Sequence, residues 1–181
     1  YEYVFSNSGS SALAGFTILF QNSPYRRVKL IRNTRTSDTQ TAYLDVGFTL
    51  NNWHHLSFTY KDSTRTLKTY LDGILKDTKI GFASTNSASG SLTMGSYLGT
   101  SNILLGNLDE VSIFNSELSQ TDVTTIYNLG VPNDISAMSG LVSWWRMGDN
   151  DTYPTITDNV GSNNGTMKFM SAANFVTDVP T

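Results

Sequence analysis

The sequence has no cysteine among its 181 residues, which excludes a disulfide framework, a cysteine-ligated zinc site and a thiol nucleophile. Charge is also scarce, because Asp, Glu, Lys and Arg make up only 15% of the chain, against about 25% in an ordinary soluble domain. The formal net charge of -3 excludes a general nucleic-acid binder, which needs a basic surface. No apolar run approaches the roughly 18 residues of a membrane span, so we expect no membrane insertion.

The apolar residues that are present indicate a folded domain of β-strands. Aromatic residues make up 12% of the chain, too many for a disordered polar chain. Residues 53–60 (WHHLSFTY) alternate in steps of two, as a half-buried strand does, and Asp72-Gly73 is a strong hairpin signal. The predicted strands are residues 3–6, 16–20, 28–31, 43–48, 53–60, 67–71, 74–80, 91–94, 108–114 and 141–147. Their spacing of about ten residues predicts an all-β sandwich or barrel.

One helix is predicted after residue 118. Ser119 is suited to be its N-cap, with Asp122 three residues later, close to a capping box. Val123, Ile126 and Tyr127 then follow the spacing of one helical face, and Gly130 is a good stop signal. A helix this short needs tertiary support, so we expect it to lie on the β-structure and cover one edge of the core.

Four phrases together resemble the laminin G-like branch of the concanavalin A-like lectin/glucanase family. They are residues 53–60 (WHHLSFTY), 67–73 (LKTYLDG), 106–115 (GNLDEVSIFN) and the helix opening at Leu118-Ser119, in matching order and at matching intervals. The resemblance covers roughly residues 3 to 130. It implies a jelly-roll sandwich of two antiparallel sheets with one short helix. Members mostly bind glycans, proteins or calcium or serve as non-catalytic modules, and some are parts of virions, especially in phages.

The resemblance also implies a division of the chain. Residues 1–132 would be the jelly roll without its usual first strands, and residues 133–181 a C-terminal extension that packs on or completes the same sandwich. Residues 140–147 (GLVSWWRM) and 158–166 (DNVGSNNGT) look like the opening that the module usually has at its front. We therefore hypothesise that the chain is the C-terminal part of a longer protein. We also hypothesise that residues 141–147 fill the sheet position that the missing first strands leave empty, in the same chain or in a neighbouring copy. The reason is that an unfilled position would expose a sheet edge and the apolar inner face. Residues 144–149 (WWRMGD), together with a tail that ends near residues 178–180 (DVP), further resemble the tails of laminin G-like proteins from marine phages.

Catalytic chemistry is not predicted. Glucanases need two acidic side chains on one face of a strand, whereas Asp109 and Glu110 are adjacent and should point to opposite faces. His54 and His55 are adjacent in the same way, so at most one could contribute to a given site. We expect one of them to be buried with a hydrogen bond and the other to lie on the surface. The protein is therefore expected not to be an enzyme.

Calcium is the candidate cofactor. Hard cations prefer clustered carboxylate and amide oxygens. The predicted metal-site residues are Asp149, Asn150, Asp151, Asp158 and Asp109. The alternative is an Asx-rich loop whose side chains cap their own turns.

Glycan binding requires exposed aromatic rings beside polar side chains. The predicted ligand-binding residues are Tyr25, Arg26, Tyr97, Asn102 and Tyr153, with either Trp144 or Trp145 as a further candidate. The alternative is that most of these rings fill the core. The basic stretch from Arg26 to Arg35 is open to two interpretations as well, a solvated strand and loop or a patch for an anionic glycan or an acidic neighbour.

These observations favour a non-catalytic binding or structural module, a component of a virion surface or appendage that recognises glycans. Its partners would be other virion proteins, copies of itself, or a glycan, and its location a virion or the extracellular space. The alternative is a secreted bacterial adhesion domain that binds polysaccharide.

Overall fold

The computed structural model describes residues 2–7, 15–21, 27–32, 40–44, 49, 51–82, 90–97, 99 and 101–181. Its strands are β1 (Glu2–Ser6), β2 (Phe16–Gln21), β3 (Arg27–Arg32), β4 (Gln40–Leu44), β5 (Leu56–Lys61), β6 (Thr66–Leu71), β7 (Ile74–Ile80), β8 (Thr93–Met94), β9 (Val111–Phe114), β10 (Leu141–Trp145), β11 (Thr155–Ile156) and β12 (Gly165–Thr166). Between β9 and β10 lies the helix α1 (Gln120–Tyr127). In these ranges no helix has the length and apolar character to cross a membrane.

The chain forms two compact units. The first contains the described residues of 1–52, 60–69 and 76–107, and the second those of 53–59, 70–75 and 108–181. Strands β5, β6 and β7, which pair in that order, contribute residues to both units.

The first unit is built on a five-stranded sheet with the order β4-β3-β2-β1-β8. The ladders that join β1, β2, β3 and β4 are antiparallel, which is what short strands joined by turns produce. Val28 is fully buried and Leu19 is 2% exposed, and the rings of Phe5 and Phe16 stack with their centroids 6.4 Å apart. Burial of these apolar side chains stabilises the sheet through the hydrophobic effect, in proportion to the apolar area removed from water.

Helix α1 belongs to the second unit and begins as the sequence predicts. Ser119 Oγ accepts the Asp122 backbone N–H at 3.1 Å, and Asp122 Oδ2 accepts the Ser119 backbone N–H at 2.8 Å, which is a complete capping box. Its inner face buries Val123 against Tyr70 and Leu118. The helix therefore covers part of the core of this unit, as a helix of eight residues must if it is to be stable.

The hairpin between β6 and β7 turns at Asp72 and Gly73, both at positive φ, as a two-residue turn of the favoured hand requires. Gly73 is also needed for space, because a Cβ there would lie 2.7 Å from Cδ1 of Tyr127 on α1. The Gln120 side-chain amide donates to the Gly73 carbonyl at 2.7 Å. The turn and the helix are thus fixed to each other by close packing and a hydrogen bond.

Several strand predictions differ from the structure, and those at residues 91–94 and 108–114 are shorter, as β8 and β9. The strand predicted at residues 53–60 begins at Leu56, because Trp53, His54 and His55 precede the ladder. The strand predicted at residues 43–48 is β4, Gln40–Leu44, and residues 45–48 lie outside the described residues. Strands β11 and β12 were not predicted, because two-residue strands show no alternation in the sequence.

Candidate functional site

The strand predicted at residues 141–147 exists as β10 and pairs with β9 in an antiparallel ladder. Its second edge is closed by Asp158, whose Oδ1 accepts the backbone N–H groups of Trp144, Val160 and Gly161 at 3.0, 3.2 and 2.9 Å. The other oxygen, Oδ2, accepts the Asn163 N–H at 3.0 Å. Burial opposes ionisation of Asp158, but the hydrogen bonds from Gly161 and Trp144 outweigh it and hold its pKa well below the usual value.

Further contacts tie the Asp158 loop to β10. Asn163 donates its side-chain amide to Ser143 Oγ at 2.8 Å and accepts the indole N–H of Trp145 on its backbone oxygen at 2.8 Å. Gly161 leaves no room for a side chain, because a Cβ would lie 2.6 Å from Asp158 Oδ2 and 2.7 Å from the Val142 carbonyl oxygen. Asp158 therefore holds the loop against the strand.

Two other predicted calcium ligands in this region, Asp149 and Asp151, also have partners within the protein. Asp151 accepts the backbone N–H groups of Gly148 and Thr157 at 3.0 and 2.8 Å. Asp149 pairs with Arg146 at 2.7 Å. Asp151 thus caps its own loop, which is the alternative that the sequence left open, whereas Asp149 forms an ion pair and Asn150 has a left-handed backbone with φ 64°.

No group of three or more His, Cys, Asp or Glu side chains positioned to hold a metal ion occurs within the described ranges. The oxygens of Asp158 and Asp151 accept backbone N–H groups, and this use of the carboxylates competes with calcium ligation. Calcium binding by these residues stays a prediction.

Glu110 lies at the centre of a charged cluster that the sequence did not reveal. Its Oε2 accepts the indole N–H of Trp144 at 2.7 Å, and its Oε1 accepts Nε of Arg146 at 3.1 Å. The Arg146 guanidinium also lies over the Trp144 ring, 5.1 Å from its centroid. Burial and the neighbouring charge of Glu110 raise the pKa of Asp109 to about 6. Glu110 is therefore a structural carboxylate, occupied by two donors.

The two histidines surround one carboxylate. Nδ1 of His54 lies 2.9 Å from Asp72 Oδ2, and the backbone N–H of His55 donates to Asp72 Oδ1 at 2.9 Å. The His55 ring stacks on Tyr127, with 5.9 Å between the ring centroids, and Ser57 Oγ lies 3.2 Å from its Nε2. Burial lowers the pKa of His55, and the neighbouring charge of Asp72 opposes that shift.

A shallow pocket of about 430 Å³ lies beside this group. Its lining residues are Asp72, Gly73, Ile74, Leu75, Gln120 and Thr124. Both oxygens of Asp72 are already engaged by the histidines, and the Gln120 amide is engaged by Gly73. The polar groups of the pocket are thus committed to holding the turn.

Of the predicted glycan-binding residues, Tyr97 forms a backbone bridge with Ser101, and Asn102 is the next residue in the chain. The Tyr97 N–H donates to the Ser101 carbonyl at 2.8 Å and the Ser101 N–H donates back at 3.3 Å, which forms an isolated antiparallel bridge. Asn102 follows in an exposed, left-handed conformation with φ 51°. Tyr97 is partly exposed, so an aromatic ring and an amide lie within one short loop of the first unit.

The remaining candidates are not brought together with that loop. Tyr25 and Arg26 lie outside the described residues. Tyr153 is 44% exposed in the second unit, where its hydroxyl donates to the Met170 carbonyl at 3.1 Å. Trp144 and Trp145 are each only 4% exposed, so neither offers a ring to a ligand.

The family model of the Concanavalin A-like lectin/glucanases superfamily, in its laminin G form, matches residues 1–124. The chain belongs to this superfamily. Membership confirms the resemblance of the sequence phrases and the predicted fold class, an all-β jelly roll of antiparallel sheets with one short helix.

This chain is similar to the solved structure of a candidate carbohydrate binding protein from Bacteroides ovatus, with a TM-score of 0.67 and 15% sequence identity. The match covers 91% of this chain and 50% of that one, so this chain spans half the length of its relative. An S-layer domain-containing protein from Clostridium thermocellum matches with a TM-score of 0.38 and 15% identity, over 70% of this chain and 62% of that one. No curated protein matches the chain.

Proposed function

We propose that the protein is a non-catalytic carbohydrate-binding module. The observation on which this depends is the loop that joins Tyr97 and Asn102. A sugar has apolar C–H faces and a rim of hydroxyl groups, and an aromatic ring beside an amide complements both. The bridge from Tyr97 to Ser101 fixes the backbone at Tyr97 and beside Asn102, which reduces the backbone entropy lost there on binding. Membership of a lectin/glucanase superfamily and the name of the similar Bacteroides ovatus protein support the same class of ligand.

We prefer a binding function to glycosidase activity because two of the acidic side chains, Glu110 and Asp72, already have structural partners. Glycoside hydrolysis needs two carboxyl groups that flank one bond, one of them free to give or take a proton. Glu110 accepts from Trp144 and Arg146, and Asp72 accepts from both histidines. These hydrogen bonds tie each carboxylate to neighbouring segments of the chain, which favours a role in fixing the fold.

For the biological setting we propose a virion surface or appendage, with copies of the chain or other virion proteins as partners. The support is the resemblance of residues 144–149 (WWRMGD) and of the tail near residues 178–180 (DVP) to phage proteins. The alternative is a secreted bacterial adhesion domain that binds polysaccharide. Both settings are outside a cell, and purification of particles with or without the protein distinguishes them.

The test of binding is an array of neutral and acidic oligosaccharides probed with the whole chain, with and without a calcium chelator. We expect Tyr97→Ala and Asn102→Ala to weaken binding by about tenfold, the equivalent of one lost stacking contact or hydrogen bond. Phe169→Ala is the matched control, because Phe169 is 89% exposed and belongs to the second unit. Loss in the control alone, or no saturable ligand on the array, would contradict the proposal.

A further inference from the structure

The segment that follows the Tyr97 bridge exposes two large aliphatic side chains. Ile103 is 63% exposed and Leu105 is 83% exposed, and Asn102, which precedes them, is exposed as well. All three belong to the first unit. Because each residue of an extended chain spans at most about 3.6 Å, the backbones of Asn102 and Leu105 lie no more than about 11 Å apart. An amide and two aliphatic groups are therefore presented to solvent within a short distance.

Hydrogen bonds hold the backbone of this segment. The Leu104 N–H donates to the Gly95 carbonyl at 2.9 Å, and the Gly95 N–H donates to the Val4 carbonyl on β1 at 3.0 Å. The Leu105 N–H donates to Oε2 of Glu2 at 3.2 Å. The exposed aliphatic side chains thus lie on an anchored backbone, which reduces the backbone entropy lost when a ligand covers them.

The composition of the segment favours a small, uncharged ligand group. Residues 95–107 (GSYLGTSNILLGN) contain no Asp, Glu, Lys, Arg or His, so the segment has no charged side chain of its own to pair with an ionised sugar. The two exposed aliphatic side chains also supply only a small part of the about 800 Å² that each partner buries in a standard protein interface. A neutral substituent on a glycan therefore fits this surface better than an acidic polymer or a protein partner.

The side chains also limit the chemistry of that substituent. A hydroxyl group placed against Ile103 or Leu105 would lose water without gaining a hydrogen bond, which is unfavourable. A methyl group is favoured in the same place, because its apolar area leaves water. The Asn102 side-chain amide carries two N–H donors, which suit a carbonyl oxygen. A carbonyl bonded to a methyl group is an acetyl group.

We propose that Asn102, Ile103 and Leu105 recognise the acetyl groups of a neutral acetylated glycan, carried as O-acetyl esters or as N-acetyl amides. Ile103 and Leu105 contact the methyl group, and the Asn102 amide donates to the acetyl carbonyl. This inference rests on the proposed function, in which the Tyr97 loop binds the sugar, and it adds the substituent that selects among sugars. Esters and amides share the carbonyl and the methyl group, so the experiment has one arm for each.

The experiment measures binding of the whole chain by calorimetry to two matched pairs of oligosaccharides. Chitotetraose is compared with cellotetraose, which has the same linkage and lacks the N-acetyl groups. Acetylated xylan oligosaccharides are compared with the same material after mild alkaline deacetylation. We expect the acetylated member of at least one pair to bind about tenfold more tightly, the equivalent of one methyl contact and one hydrogen bond. The pair that shows the preference distinguishes the amide from the ester.

The variants locate the preference. Ile103→Thr and Leu105→Asn keep the approximate shape of each side chain and make it polar, so each should weaken binding of the acetylated glycan about fourfold, the transfer of roughly one methyl group from water. Neither variant should change binding of the unsubstituted glycan by more than about twofold, because no contact with that glycan is lost. Ile80→Thr is the matched control, since Ile80 is 82% exposed on β7 in the same unit. Melting curves confirm that each variant is folded.

The other outcomes separate this inference from the proposed function. Equal binding of both members of each pair, with a loss in Tyr97→Ala, would overturn the inference and leave the proposed function intact. Equal losses in Ile80→Thr and Ile103→Thr would trace the preference to general apolar contact and would also overturn it. An acetyl preference that Ile103→Thr removes and Tyr97→Ala leaves unchanged would support the inference and contradict the role of Tyr97. Failure of every glycan to bind would contradict both.

Discussion

Replacement of Asp158 by Asn tests whether this carboxylate holds the second unit together. Four backbone N–H groups point at its two oxygens, from Trp144, Val160, Gly161 and Asn163. Asn keeps one oxygen, which can still accept the three N–H groups on the Oδ1 side. Its NH₂ group would face the N–H of Asn163, so one acceptor becomes a donor against a donor. The residue is 6% exposed, and water cannot readily repair the mismatch.

The expected cost follows from these contacts. Losing one charge-assisted hydrogen bond costs about 1.5–3 kcal/mol, and making the other three neutral costs a few tenths of a kcal/mol each. We therefore expect Asp158→Asn to lower the free energy of unfolding by about 3 kcal/mol at pH 7. For a protein of this size that corresponds to a fall in Tm of about 6–12 °C.

The pH dependence separates this account from simple loss of packing. The pKa of Asp158 is lower in the folded state than in the unfolded state, so its contribution is complete above the usual Asp pKa of about 4 and is lost as the pH falls below it. The difference between the wild-type protein and Asp158→Asn should therefore shrink below about pH 4. Asp77→Asn, which removes an exposed ion pair with Lys79, should cost less than about 1 kcal/mol throughout. A gap under 0.5 kcal/mol at pH 7 (about a tenth of a typical stability), or one that is constant down to acid pH, would refute the reasoning.

Two further predictions concern the same unit. Gly161→Ala should lower the free energy of unfolding by about 2 kcal/mol, because the added methyl group meets a carboxylate and a carbonyl oxygen. In the control Gly106→Ala the methyl group meets nothing closer than 4.0 Å, so the free energy of unfolding should change by less than about 0.5 kcal/mol. The denaturant midpoints of the two variants test this prediction. Asp109 has its pKa raised to about 6, so the folded state prefers the protonated acid and stability falls as the pH rises from about 4 to about 6. Asp109→Asn should remove that fall and add about 1 kcal/mol at pH 7, a value reduced for solvent screening, with no gain at pH 4. An ordinary pKa of this carboxyl in an NMR titration would contradict the account.

Most of the strands could be predicted because alternation and turn residues act locally. Strand β7 has the predicted bounds, Ile74–Ile80, since the Asp72-Gly73 turn fixes where it begins. The start of α1 was predictable for the same reason, because a capping box needs only Ser119 and Asp122. The late start of β5 could not be predicted, because the residues before Leu56 continue the same alternation of apolar and polar side chains. In the structure the backbone carbonyl of His55, just before β5, accepts the N–H of Asp72 in the turn.

The roles of the acidic residues could not be read from their spacing. A loop rich in Asp and Asn looks the same whether its oxygens converge on a cation or accept its own N–H groups. What decides between them is the direction in which the backbone N–H groups point, and for Asp158 they point at the carboxylate. The pairing of Glu110 with Arg146 joins residues 36 apart, a separation at which the sequence offers no local signal.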